Sequence, residues 1–173
     1  LDATEDIYSL NKHALGPGEL AEKEWLDAGL AAPDMTKIRE YRLKRVREKL
    51  VEFDCVGILL YDPVNIRYAT DSTNMSLWTS HNAARYSLIM TEGPVIIFEF
   101  DAHEFLSNHN PLITEVRHAL TYLYFTAGNK SKEKAKIWAS EISDIVREHG
   151  KGNRRLAVDH CAPEGIYELQ SLG

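Results

Sequence analysis

Cysteine is scarce in this chain: two in 173 residues, Cys55 and Cys161, far apart in sequence. Two isolated cysteines exclude a disulfide framework and read as reduced, cytosolic residues. No run reaches the ~18 apolar residues that a membrane-spanning helix needs. No basic-then-apolar leader opens the chain either. It starts at Leu1 rather than at methionine, so a processed or trimmed beginning is expected, and the cytoplasm is the expected location. A basic excess is also missing, since 20 Lys and Arg face 26 Asp and Glu for a net charge of −6. That balance favours solubility and argues against a generic binder of phosphate backbones, so no nucleic-acid and no membrane partner is expected. The sequence has no G-x-S-x-G, no glycine-rich phosphate loop, no H-E-x-x-H and no C-x-x-C pair. The sequence-evident nucleophile, nucleotide and zinc motifs are therefore excluded.

What remains is the composition of an ordinary globular protein, 44% hydrophobic and 27% charged. A domain of this length buries about 70% of the surface its unfolded chain exposes, so its core needs no covalent or metal staple. Residues 1–33 read as an N-terminal arm. Within it, Gly16-Pro17-Gly18 breaks the chain before a short helix, Glu19 to Ala28, whose Leu20, Trp25 and Leu26 are placed to dock on a neighbour. Residues 34–173 read as one domain. Pro33-Asp34 is a helix start, and Met35, Ile38, Tyr41, Val46, Leu50 and Phe53 mark the apolar side of a helix running to about Phe53. Its basic side is interleaved with Glu40, Glu48 and Glu52, the pattern of a solvated helix face rather than of a nucleic-acid patch.

Cys55 to Tyr61 reads as a buried strand. Tyr86–Met90 and Val95–Phe100 read as a hairpin across Thr91-Glu92-Gly93-Pro94. Ala102–Ser107 reads as a short helix, and Leu120–Phe125, within the segment Glu115–Phe125, as a fourth strand. A helix from Ser131 to about His149 places Ile137, Trp138, Ile142, Ile145 and Val146 on one face, and Gly150 and Gly152 end it. Leu156–Asp159 reads as a strand and Pro163–Leu172 as a final helix. The fold class is α/β: a mixed β-sheet of about five to six strands flanked by helices.

The His and acid clusters, His103-Glu104, His109 and Asp159-His160-Cys161, read as loop and strand-end polar residues. Both cysteines read as packing residues. No catalytic residue and no catalytic metal are expected within the chain. The segment Asp62 to Arg85 is different. Connections of about two dozen residues without strong periodicity are uncommon in compact domains and are often binding loops, and a loop leaving a strand of an α/β sheet is a favoured ligand position. This one carries Asp62, Asn65, Arg67, Tyr68, Asp71, Asn74, Trp78, His81 and Arg85. Asp62 and Asn65 are also common turn formers and caps, Tyr68 fits a core position, and Arg67 fits a pairing with an acid of the domain.

A strand followed by Asp62-Pro63-Val64-Asn65-Ile66-Arg67-Tyr68-Ala69-Thr70 resembles the N-terminal domain of the creatinase/prolidase (pita-bread) superfamily. Glu24-Trp25, Gly29-Leu30, Pro33-Asp34, Leu77-Trp78, His81-Asn82 and Arg85 extend the likeness to the dimethylsulfoniopropionate (DMSP) lyase branch. So do Phe105-Leu106-Ser107, Asn110-Pro111-Leu112, Glu148-His149-Gly150 and Leu156-Ala157-Val158-Asp159. The likeness runs from about Glu19 to the last residue. Asp71-Ser72 stands where many peptidase and creatinase relatives have glycine, which counts against a plain Xaa-Pro peptidase.

The resemblance implies a non-catalytic domain of a homodimeric metalloenzyme. The partners would be its own C-terminal catalytic domain, expected after residue 173, and a second subunit. Two Asp, one His and two Glu of that missing half would hold Fe, Mn, Zn or Co. The implied substrate is a small molecule, DMSP, cleaved to dimethyl sulfide and acrylate. The loop would help wall the partner subunit's active site. Trp78 and His81 are its first candidates, with Trp78 stacking on a sulfonium group for about 0.5–2 kcal/mol. Arg67 or Arg85 would hold a carboxylate, and Tyr68, Asp62 and Asn65 complete the candidate wall. Two alternatives stand beside this reading: a creatinase or Xaa-Pro peptidase of the same superfamily, and a stand-alone binding or oligomerisation module.

Overall fold

The computed structural model describes residues 18–31 and 33–173, which fall into two compact units divided between Met35 and Thr36. In the first, α1 (Glu19–Asp27) starts at Gly18 with Glu19 and Glu22 in its first turn, where carboxylates suit the positive end of the helix dipole. Gly29, at φ 74°, supplies the left-handed turn that ends it. No α1 residue is buried.

The second unit is built on a five-stranded sheet of order β4-β3-β2-β1-β5. Its strands are β1 (Gly57–Leu60), β2 (Tyr86–Met90), β3 (Val95–Glu99), β4 (Glu115–His118) and β5 (Leu156–Val158). β2 pairs antiparallel with both β1 and β3, whereas β4 and β5 run parallel to β3 and β1 on the two edges. The α/β class and mixed sheet expected from the sequence are what the chain forms. Every residue of β2 and β3 is buried, as central strands covered on both faces require.

One face is closed by α6 (Ser131–His149) and α7 (Pro163–Ser171). Trp138, Ala139, Ile142, Ile145 and Val146 pack there with Leu59, Tyr61, Tyr86, Leu88 and Phe98. Ile137, expected on that face, is exposed, because it sits 100° around the helix from Trp138. The other face carries a smaller cluster: Leu43 of α2 (Met35–Glu52), Ile66 and Ala69 of α3 (Pro63–Thr70), and Leu60, Ile89, Val95 and Ile97 of the strands. The stripe of α2 is thus Leu43-Val46-Leu50. Met35, Tyr41 and Phe53, expected on it, are exposed, and Tyr41 lies under the Arg45 guanidinium instead.

Three further expectations are corrected. Leu120–Phe125 is not a strand: the strand is Glu115–His118, and Tyr124–Ala127 forms a single helical turn, α5. β4 ends where the Ala119 N–H donates to Glu99 O, and Tyr122 then turns into the core beneath Trp138. Burial of one aromatic overrides the strand propensity of the run. The segment Asp62–Arg85 is not an irregular connection either, because it folds into α3 and α4 (Ser76–His81). Ala102–Ser107 is reduced to a 3₁₀ turn at Glu104–Leu106. No helix among the described residues is long and apolar enough to cross a membrane.

Candidate functional site

The start of α3 explains the motif Asp62-Pro63-Val64-Asn65. The Asp62 carboxylate accepts from the N–H groups of Val64 (2.8 Å) and Asn65 (3.0 Å), and Pro63 occupies the first turn, where its missing N–H costs nothing. The Asp159 carboxylate, just past β5, accepts from the N–H groups of Tyr61 (2.9 Å) and Asp62 (3.0 Å) and from Asn65 Nδ2 (3.2 Å). Asp62 and Asn65 therefore fasten the strand-to-helix junction. α3 ends on Asp71, left-handed at φ 56°, whose carboxylate accepts from Arg39 Nε at 2.7 Å.

Past α3 the chain crosses a buried polar cluster. The Arg85 side chain is 1% exposed and that of Glu99 0%, and Arg85 Nε donates to Glu99 Oε1 at 2.8 Å. Ser107 Oγ donates to the same oxygen (2.8 Å), Asn74 Nδ2 donates to Glu99 Oε2 (3.0 Å), and Arg85 Nη2 donates to Ser72 Oγ (2.6 Å). Ser72 Oγ and Ser107 Oγ share a further bond at 2.9 Å. An ion pair withdrawn from water is tolerated only when hydrogen bonds satisfy its remaining atoms, and here serines and an asparagine do most of that. Arg85 Nη1 is the exception, buried without a protein partner.

α4 follows at once. Met75, at φ 34°, begins it, and the buried Thr79 hydroxyl bonds back to Met75 O (3.2 Å). Its outer side is apolar: Leu77 is 81% exposed, Met75 51% and Trp78 40%. The Trp78 ring rests on Phe100, centroids 5.5 Å apart, and Phe100 rests on His103 at 4.3 Å. Met75, Ser76, Leu77, Trp78, His81 and Asn82 line an open depression of about 510 Å³.

The structure thus brings Trp78 and His81 together on one surface. Arg85 is buried, its guanidinium committed to Glu99 and Ser72. Arg67 is exposed on α3. Tyr68 is 38% exposed, lies under the Arg42 guanidinium at 5.6 Å, and lines a separate cavity of about 570 Å³ with Val46, Phe53 and Ile58. Sequence reasoning missed Glu99, Ser72, Ser107 and Phe100 as parts of this corner. The available signal was Glu99 itself, a carboxylate inside the apolar run Val95-Ile-Ile-Phe-Glu-Phe100.

Elsewhere, Tyr122 Oη and Cys161 Sγ lie 3.0 Å apart under α7. Burial pushes the Cys161 thiol up and the Tyr122, Tyr86 and Tyr61 phenols well up. A thiol held protonated is a packing group rather than a nucleophile. Asp101, Glu104 and His118 bring their ligand atoms within 4.8 Å of one another at the ends of β3 and β4. Two of the three are exposed, and exposed acidic groups commonly stand together without an ion.

This corner presents an aromatic and apolar surface over a buried polar cluster. Two solved structures share its fold. An Xaa-Pro aminopeptidase from Streptococcus pyogenes matches over 79% of this chain and 86% of its own, with a TM-score of 0.53 and 12% identity. An Xaa-Pro dipeptidase from Bacillus anthracis matches over 78% of this chain and 31% of its own, with a TM-score of 0.51 and 18% identity. The fold is that of creatinase/prolidase N-terminal domains. In sequence, the chain is homologous to the N-terminal region of the DMSP lyase DddP. It is 42% identical to that of Roseovarius nubinhibens over 94% of its residues, and 40% identical to that of Roseobacter denitrificans over 95%. It spans 36% and 37% of the length of these two relatives. No family model matches it.

Proposed function

We propose that this chain is the non-catalytic N-terminal domain of a cytoplasmic, homodimeric, metal-dependent DMSP lyase, and that its α4 corner walls the active site of the partner subunit. The observation that carries the reading is the 42% identity to a DMSP lyase over 94% of the chain. The geometry of α4 supports it, because Trp78 and His81 share an open apolar surface that a solvated domain has no reason to keep. Trp78, its ring tilted 59° against Phe100, offers a ring face to a sulfonium group. A divalent metal in the catalytic half would organise the substrate carboxylate or the base; the described residues do not fit that role, and no step is assigned to them.

The test uses the full-length gene product in a headspace assay for dimethyl sulfide. Activity on DMSP is expected, and Trp78→Ala is expected to lower kcat/KM about two- to thirty-fold, the range of an exposed to a desolvated cation–π contact. An unchanged kcat/KM in a correctly assembled dimer removes Trp78 from the site. Hydrolysis of Xaa-Pro dipeptides without dimethyl sulfide release would replace the lyase by a peptidase. That second reading rests on fold likeness at 12–18% identity, which carries less weight than the sequence homology. A protein that is inactive and binds no metal would favour a stand-alone module.

A further inference from the structure

We infer that the buried Arg85–Glu99 pair is a positioning device for α4: it fixes where Trp78 stands through Ser72, Asn74 and Phe100. The inference deepens the proposed reading of α4 as an active-site wall and rests on it for its functional meaning only.

α4 has six residues, too short to be stable by its own hydrogen bonds. Thr79 is its only buried residue, so hydrophobic packing fixes it weakly. Its tether is the stretch Ser72-Thr73-Asn74, and two of those three side chains are anchored on the ion pair. Ser72 accepts from Arg85 and Asn74 donates to Glu99, so each charge of the pair holds one point of the tether. Arg85 immediately precedes β2, and Glu99 closes β3 beside Phe100, the ring on which Trp78 rests. Both ends of the wall, the backbone before α4 and the ring behind Trp78, are thereby referred to the rigid centre of the sheet. A buried ion pair is a costly way to gain stability and a good way to select one geometry, since its atoms accept few arrangements. Ser107 ties the 3₁₀ turn after β3 to the same oxygen and completes the frame.

The test labels the 173-residue chain with 5-fluorotryptophan, which gives one ¹⁹F resonance for each of Trp25, Trp78 and Trp138, with Trp78 assigned by Trp78→Phe. Asn74→Ala removes one tether point and leaves the ion pair whole, so it avoids the folding risk of unpairing a buried charge. It is expected to shift and broaden the Trp78 resonance while Trp138 stays in place. Arg85→Lys keeps the charge, loses the bond to Ser72, and is expected to move Trp78 in the same way. Tyr122→Phe, which removes a buried hydroxyl on the opposite face, is the control that loses stability without moving Trp78. In the full-length gene product, Asn74→Ala is expected to raise KM for DMSP about five- to tenfold with kcat within about twofold of wild type. An unmoved Trp78 resonance in both Asn74→Ala and Arg85→Lys overturns the positioning role. A moved resonance with unchanged kinetics upholds that role and overturns the wall reading instead.

Discussion

The two regions on either side of this sheet are held together by different physics. Under α6, apolar and aromatic side chains fill a continuous core in which Trp138 touches Tyr61, Tyr86 and Tyr122. At the α4 corner, an ion pair and three polar side chains do the holding, and the apolar groups face outward. Hydrophobic burial is non-directional and scales with area, so it secures the first region against small changes of shape. Hydrogen bonds to a buried charge are directional, so they secure the second against movement. A scaffold needs the first kind of strength, and the wall proposed for α4 needs the second.

The largest effect that would sharpen this contrast is expected from Glu99→Ala. It leaves the Arg85 guanidinium buried and unpaired, and a loss of about 3–5 kcal/mol is expected. Urea unfolding of the purified chain checks it, and a loss below 1 kcal/mol would show that water reaches the corner and that the polar frame is not what holds it. A second test acts on the α6 side through pH. Cys161, Tyr122, Tyr86 and Tyr61 are all pushed up, each mainly by burial. The unfolded chain releases these protons at ordinary values of about 8.5 for cysteine and about 10 for tyrosine, while the folded chain still holds them. The unfolded state is therefore favoured as pH rises, and Tm is expected to hold up to about pH 8 and to fall progressively above it. Tyr122→Phe should flatten that fall; an equal slope would place the titration elsewhere. The smallest effect is expected from Ile142→Val, which trims a fully buried side chain of the apolar core at a cost of about 0.5–1.5 kcal/mol. A loss as large as that of Glu99→Ala would mean that the α6 face is as geometrically exacting as the corner.

Much of the fold was legible because the signals were local. The helix expected from Ser131 to about His149 is α6 over Ser131–His149, and the expected hairpin is β2–β3. Both are long or strongly patterned, and the turn between the two strands is carried by neighbouring residues. Leu120–Phe125 misled because a β-rich run was broken by the demand of the core for Tyr122. On α2 the stripe was misjudged because Leu43 sits among Arg42, Lys44 and Arg45, where charge hides a single apolar position.

Less of the candidate site was legible. Trp78 and His81 were singled out by resemblance, and the structure sets them side by side. Asp62 and Asn65 were weighed as caps as well as ligands, and the cap of Asp62 is seen in its bonds to Val64 and Asn65. Arg85 was weighed as a holder of substrate carboxylate, but its partner turned out to be Glu99, fourteen residues on. That pairing depends on the register of β2 on β3, a relation between strands that the sequence states only indirectly.

The sequence by itself determined the α/β class, the order of most elements and the kinship with the DMSP lyase DddP, because these rest on periodicity, turn chemistry and ordered motifs along the chain. The tertiary structure alone decided that Ser72, Asn74, Arg85, Glu99 and Ser107 converge, and that Trp78 stands outward on Phe100. Those positions lie up to 35 residues apart and meet only when the sheet forms. A buried charge finds its partner in space, and no local pattern records which one it will be.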